Sequence, residues 1–205
     1  HRAPIERAML SPLAARALDW SAVHFFWGDE RCVPPDDPAS NYGMARAALL
    51  SKVVVPEANV HRMRGELPPD DGADAYDDVL RAFFAGGTPA FDLVFLGLGP
   101  DGHTASLFPG TPALGAIDRW CVANEVTEPV ASPWRLTLTY PVLNAARRVA
   151  FLVEGADKAA ILRTVVDGKK DVRRYPAQGI APTDGEVAWL VDAAAASQLR
   201  TARTT

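Results

Sequence analysis

The sequence predicts an α/β fold: a single domain with an open, mainly parallel sheet and helices on both faces. Three observations carry that expectation. Short apolar runs of strand length alternate with segments of helical spacing. No internal repeat, low-complexity tract or domain linker interrupts the alternation. The 205 residues, 48% of them hydrophobic, suffice for one substantial core and are too few for two large ones. Residues 1–205 therefore read as one domain.

Taken in order, the strand candidates are AVHFFWG at 22–28, FDLVFLGLG at 91–99, RWCVANEV at 119–126, RLTLTY at 135–140, RVAFLVEG at 148–155 and EVAWLVD at 186–192. Several have the continuous apolar character of strands buried on both faces. Residues 74–84 set Tyr76, Val79, Leu80 and Phe83 at helical spacing, and residues 158–166 do the same with Ala159, Leu162 and Val166. Strand, helix, strand implies parallel pairing with helices laid over the sheet. The proline turns VPPDDP at 33–38 and ELPPDDG at 66–72 are connections, because strands resume on either side at similar composition.

Composition removes several function classes. Lys plus Arg number 21 against 25 for Asp plus Glu, a net charge of −4, so no global attraction for nucleic acid or an anionic membrane exists. An anionic ligand has to be held by a local cluster. Cys32 and Cys121 form no C-x-x-C pair and no secreted disulfide framework, which suits a reducing cytoplasm. The opening HRAPIERAML lacks the apolar core of a signal peptide, and no run approaches the roughly 20 apolar residues of a membrane span. Nothing sets an oligomeric state.

Ligands of open parallel sheets sit beyond the carboxyl ends of strands, so the segments after each apolar run matter most. LVFLGLGPDGHTASLFPG contains Gly97, Gly99 and Gly102 in the spacing G-x-G-x-x-G. A dinucleotide turn needs a long helix after the third glycine, but Pro109 allows at most about two turns, and Pro100 sits inside the turn. Glu125, a candidate ribose carboxylate, stands too far along the chain. The glycines instead read as a bare backbone that turns sharply beside a small substrate and delivers Asp101 and His103 to it. A short helix after His103 would favour neutral imidazole, and Asp101 would favour imidazolium. Ser106 reads as a capping or packing residue of that turn.

A second loop is expected at residues 27–43, WGDERCVPPDDPASNYG, where Asp29, Glu30 and Arg31 follow apolar residues. Arg31 offers a permanently charged donor fork for an oxyanion or phosphate. Arg135 begins a strand run, and Lys158 lies in the opening turn of a helix, where an ammonium opposes the dipole unless an anion is shared with the free N–H groups. Lys169, Lys170, Arg173 and Arg174 read as solvated surface, and His24 and His61 as structural or exposed. There is no G-x-S-x-G elbow, no H-E-x-x-H and no His, Cys and carboxylate cluster at metal spacing.

Together WGDERCVPPDDPASNYG, GLGPDGHTASLFPGTPAL, RLTLTYPVLNAARRVAFLVEGADKA and the late YPAQG, in order from about residue 12 to residue 198, resemble the 6-phosphogluconolactonase family. D-G-H-T-A-S-L-F-P-G is the specific part of that signature. The resemblance implies a Rossmann-like α/β fold related to glucosamine-6-phosphate deaminase, and hydrolysis of a phosphorylated sugar lactone in the oxidative pentose phosphate pathway without metal or organic cofactor. It implies His103 as general base, Asp101 as its orienting partner and Arg31 as oxyanion donor. Lys158 and Arg135 would bind the phosphate, with Asp29, Asn41, Gly99 and Gly102 shaping the substrate site. The deaminases resemble a pattern with an acidic residue five positions after the histidine, where this chain has Phe108, so a deaminase or isomerase is the second reading and a non-catalytic sugar-phosphate binder the third. The family pattern also opens with an apolar strand and a Ser-Gly-Gly-Ser-Thr-Pro-like loop. Here only Pro4 matches that loop, which predicts further residues upstream of His1.

Overall fold

The computed structural model describes residues 18–126 and 132–200. Pro4 and the expected N-terminal phosphate loop lie outside those residues. The elements run β1 (Phe25–Phe26), β2 (Asp29–Arg31), α1 (Asn41–Ala48), β3 (Val60–His61), α2 (Pro69–Phe83), β4 (Val94–Gly97), β5 (Cys121–Glu125), β6 (Trp134–Leu138), α3 (Tyr140–Leu143), β7 (Arg148–Val153), α4 (Ala159–Asp167) and β8 (Glu186–Val191). The fold is the α/β class that the sequence predicts. Parallel pairing joins β1 to β3 and orders a second sheet β4-β7-β8. A third sheet, ordered β2-β6-β5, is antiparallel throughout. The run at 119–126 and the run at 135–140 meet through a short connection with no room for a crossover helix, so they pair antiparallel.

Burial follows position in the sheet. Central β7 has every residue from Val149 to Val153 buried, as its continuous apolar run requires. Its neighbour β4 alternates instead, with Val94 and Leu96 in the core and Phe95 exposed, so burial on both faces does not extend to it. α4 buries Ala159, Leu162 and Val165 and leaves Val166 outside, one position away from the expected stripe. α2 carries Asp70 and Asp71 in its first turn and Arg81 in its last, a charge order that complements the helix dipole.

Two polar side chains of α2 fix the helix to the sheets. The Tyr76 hydroxyl accepts from the Trp27 amide at 2.9 Å and donates to the Trp27 carbonyl at 3.2 Å, between β1 and β2. Asp77 accepts from the amides of Trp120 and Cys121, at the start of β5. Phe83, at the end of α2, stands edge-on to Phe26 and His61 and tilted against His24. Those two histidines therefore belong to an aromatic cluster. Among the described residues no helix is long and apolar enough to cross a membrane.

Asp29, Glu30 and Arg31, expected in a loop, form β2. The reason lies in the partners of Glu30, which is 2% exposed. Its Oε1 accepts from the amides of Arg31 and Asn41, and its Oε2 accepts from the Tyr42 amide and the Ser40 hydroxyl. A buried carboxylate thus takes the unpaired N–H groups at the start of α1 and pins that helix to β2. Burial raises the Glu30 carboxyl above its ordinary 4.5, and the four hydrogen bonds oppose that rise without cancelling it. With a folded pKa above the unfolded value, the stability linked to this group is full below 4.5 and is lost as pH climbs through the folded value.

Glu30→Ala should lower unfolding free energy by about 2–4 kcal/mol, since it strands several donors at once. Urea titration at neutral pH measures the loss. A change under about 0.5 kcal/mol, the range of an ordinary surface substitution, would show that water replaces the carboxylate without cost.

Candidate active site

The chain leaves β4 at Gly97 and folds back on itself. The Gly99 amide donates to the His103 carbonyl at 2.8 Å, the Gly102 amide to the Gly99 carbonyl at 3.0 Å, and the Thr104 hydroxyl to the Gly97 carbonyl at 2.9 Å. Thr104 and Leu107 then form an isolated bridge, with Ala105 at φ 46°. No helix follows His103, contrary to expectation. The dipole argument for neutral imidazole falls with it, and so does the last requirement of a nucleotide turn.

His103 is 7% exposed, and its Nδ1 lies 2.5 Å from Oδ1 of Asp101. Burial pushes the Asp101 carboxyl up, but the hydrogen bond and charge of His103 outweigh it and hold the group below its ordinary 3.8. An ionised carboxylate only accepts, so Nδ1 carries the proton. In the neutral ring, Nε2 then holds the lone pair, and among the described residues it makes no hydrogen bond.

Both glycines in the turn have a steric reason. A methyl group on Gly99 would overlap Nδ1 and Cε1 of the imidazole and stand 2.7 Å from Cγ, a position over the ring face. Gly102 has φ 82°, with the Tyr175 ring 3.0 Å from where a Cβ would be. The YPAQG segment carrying Tyr175 buttresses the turn, the Ala177 amide donating to the Gly102 carbonyl at 2.9 Å, and just ahead of that segment the Arg173 carbonyl accepts from the Gly110 amide at 3.1 Å. The ring of Phe108 stacks on that of His103, with centroids 4.1 Å apart at 29°.

Ser106 is no helix cap. Its hydroxyl donates to Asp29 Oδ2 at 2.6 Å, its amide to the Thr137 hydroxyl at 3.2 Å, and its carbonyl accepts from Asn124 Nδ2 at 2.8 Å. Asn41 completes the network by donating to the Asp29 carbonyl at 2.8 Å and to its Oδ1 at 3.2 Å. Asp29, Asn41, Gly99, Asp101, Gly102 and His103 are thereby brought into one connected unit. Ser106, Asn124, Thr137, Phe108 and Tyr175 belong to it too, and sequence reasoning missed all five roles. The alternation of threonines in RLTLTY hinted that Thr137 shares a face with Arg135, but not what it would bind.

Arg31 and Arg135 are register partners on β2 and β6, so they share one face of the antiparallel sheet with Asp29 and Asn124. Arg31 Nη1 donates to the Ala39 carbonyl, while the buried Arg135 donates to the carbonyls of Ser132 and Trp134. Lys158 is the N-cap of α4, with Asp157 at 4.0 Å. Two clefts flank the turn and share Asp101 and Pro109. One, of about 830 Å³, runs past Phe108 to Asn124, Glu125 and Trp134. The other, of about 480 Å³, lies against α4 and is bordered by Arg174 and Tyr175, so Arg174 borders a cleft as well as solvent.

Residues 4–189 match the family model of glucosamine-6-phosphate isomerases and 6-phosphogluconolactonases. The chain is 47% identical over 199 residues to 6-phosphogluconolactonase of Synechocystis sp., covering 95% of this chain and 80% of that protein. It is 44% identical over 172 residues to the human 6-phosphogluconolactonase, covering 83% and 66%. Among solved structures, the 6-phosphogluconolactonase from Thermotoga maritima superposes with a TM-score of 0.80 at 30% identity, covering 94% and 82%. A monomeric glucosamine-6-phosphate deaminase superposes at 0.77 with 20% identity, a likeness of fold alone. The signature turn, the buttressing YPAQG segment and the extended match thus agree: the chain belongs to the glucosamine-6-phosphate isomerase/6-phosphogluconolactonase family.

Proposed function

We propose that this chain hydrolyses 6-phospho-D-glucono-1,5-lactone to 6-phospho-D-gluconate, serving the oxidative pentose phosphate pathway in the cytoplasm. The observation that carries the mechanism is the buried His103–Asp101 pair, with Nδ1 committed to the carboxylate and Nε2 left to take a proton. Nε2 accepts a proton from water as its oxygen bonds to the lactone carbonyl carbon. The tetrahedral intermediate collapses by breaking the bond from that carbon to the ring oxygen, which receives the proton back from the imidazolium. Asp101 holds the ring and stabilises its charged form between the two steps.

Arg31 stabilises the oxyanion, worth about 10²–10³ in rate for one such donor. General-base catalysis adds about 10²–10⁴. An activated ester of this kind needs no covalent nucleophile, and the thiols offer none. Burial pushes Cys32 up to about 11 and raises the fully buried Cys121 further. Lys158 and Arg135 bind the 6-phosphate, with Lys158 at a helix start that supplies N–H groups to an anion. Asp29 and Asn41 shape the sugar site through the loop they hold. Phe108 against the imidazole favours this reading over an aminosugar deaminase, since it puts an apolar ring where that chemistry calls for an acid.

The direct test is incubation with the phosphorylated lactone and with glucosamine 6-phosphate. Faster loss of the first with no ammonia from the second is the expected result; ammonia release would establish the deaminase, and neither reaction a binding role.

His103→Ala should cut lactone hydrolysis by about 10² or more while the circular dichroism spectrum stays that of the parent. A rate within threefold of the parent would remove His103 from the mechanism. Lys158→Ala should raise KM for the phosphorylated lactone well beyond its effect on kcat, because phosphate contacts far from the carbonyl act as largely uniform binding. An unchanged KM would assign Lys158 to the solvated surface.

A further inference from the structure

The imidazole of His103 is held at three places. Asp101 takes Nδ1 in the ring plane. The Gly99 backbone lies over one face, so close that a single methyl group would overlap two ring atoms. Phe108 stacks at 4.1 Å and 29°. Two groups cannot occupy the same face at these separations, so Phe108 covers the face opposite Gly99. The hydrogen bond alone leaves the ring free to rock about the axis through Nδ1. The backbone on one side and the aromatic ring on the other remove that freedom.

Phe108 is itself anchored. Pro109 follows it, the Phe108 carbonyl accepts from the Thr111 hydroxyl at 2.9 Å, and Thr111 accepts in turn from Asn124 Nδ2 at 3.1 Å. Asn124 also holds the Ser106 carbonyl, so one buried amide on β5 fixes the turn on both sides of Phe108. The same aromatic ring borders the 830 Å³ cleft, as does Asp101, the partner of the imidazole.

We propose that Phe108 is a positioning residue: with Gly99 it clamps the His103 ring in the orientation that presents Nε2 to the attacking water. It touches the base and performs no proton transfer. Its contribution is to turnover, because an imidazole free to rock spends only part of its time aligned for reaction. The kinetic half of this inference rests on the lactonase reading, and the reactivity half does not.

The test uses Phe108→Leu, which keeps an apolar side chain in the site, and Phe108→Tyr, which restores a stacking ring, with circular dichroism and thermal unfolding as controls of the fold. Phe108→Leu should lower kcat by about tenfold or more while KM for the lactone stays within about threefold, and Phe108→Tyr should recover most of the loss. Diethyl pyrocarbonate modification, mapped to the His103 peptide by mass spectrometry, should run several-fold faster in Phe108→Leu than in the parent and return toward the parent rate in Phe108→Tyr. An unchanged kcat or an unchanged modification rate in folded Phe108→Leu overturns the proposal, as does loss in the tyrosine variant equal to that in the leucine variant. Should the parent fail to hydrolyse the lactone, the lactonase reading falls, and the modification rates alone decide whether Phe108 holds the ring.

Discussion

The hydrogen bond from the Ser106 hydroxyl to Asp29, 2.6 Å long, ties the turn that follows β4 to the antiparallel β2-β6-β5 sheet. The turn that carries His103 springs from the parallel sheet, after β4. The residues that could address a sugar phosphate, Arg31 and Arg135, stand on the antiparallel sheet. The two sheets share one apolar core, Leu96 and Phe151 packing with Leu136 and Leu138, and a short run of buried polar contacts, Ser106 to Asp29, Thr137 and Asn124, adds directional ties between the turn and the antiparallel sheet. Such contacts are costly to leave half made, so once satisfied they specify one arrangement. Asp29 and Glu30 divide the labour, because successive strand residues point to opposite faces. One holds the turn that carries His103, and the other gathers the amides at the start of α1.

The turn resembles a nucleotide-binding loop in spacing and differs from it in purpose. In a dinucleotide turn, glycines admit a pyrophosphate to a helix N-terminus. Here the space vacated by the Gly99 side chain is filled by the protein's own imidazole, and that at Gly102 by Tyr175. The glycines serve close packing around an imidazole. The YPAQG segment supplies the packing partner from some 70 residues downstream, which gives a physical reason for its place in the sequence signature.

The deaminase that shares this fold at 20% identity shows how little the backbone alone decides. One α/β frame serves proteins whose names give different activities. Function is set by the side chains placed on such a frame. In this chain the side chain set against the imidazole is an aromatic ring, apolar and stacked, which holds the histidine and offers it no second proton donor.

The sequence by itself determined the α/β class, the parallel runs around β7 and the helices at α2 and α4, since each follows from local periodicity, and its resemblance to a known family implied the pairing of Asp101 with His103. It also marked Asp29, Asn41, Arg31 and Arg135 as residues of interest, without saying which of them meet. Tertiary structure alone decided that 29–31 is a strand, because a three-residue run of charge becomes one only when Glu30 finds four donors and β6 lies alongside. It decided that no helix follows His103, and that Ser106 reaches 77 positions back to Asp29. Those outcomes depend on partners distant in sequence, where a hydroxyl or carboxylate carries no local mark of the group it will bind. The same holds for Phe108, whose apolar character was plain and whose contact with His103 depended on the backbone folding back after Gly102.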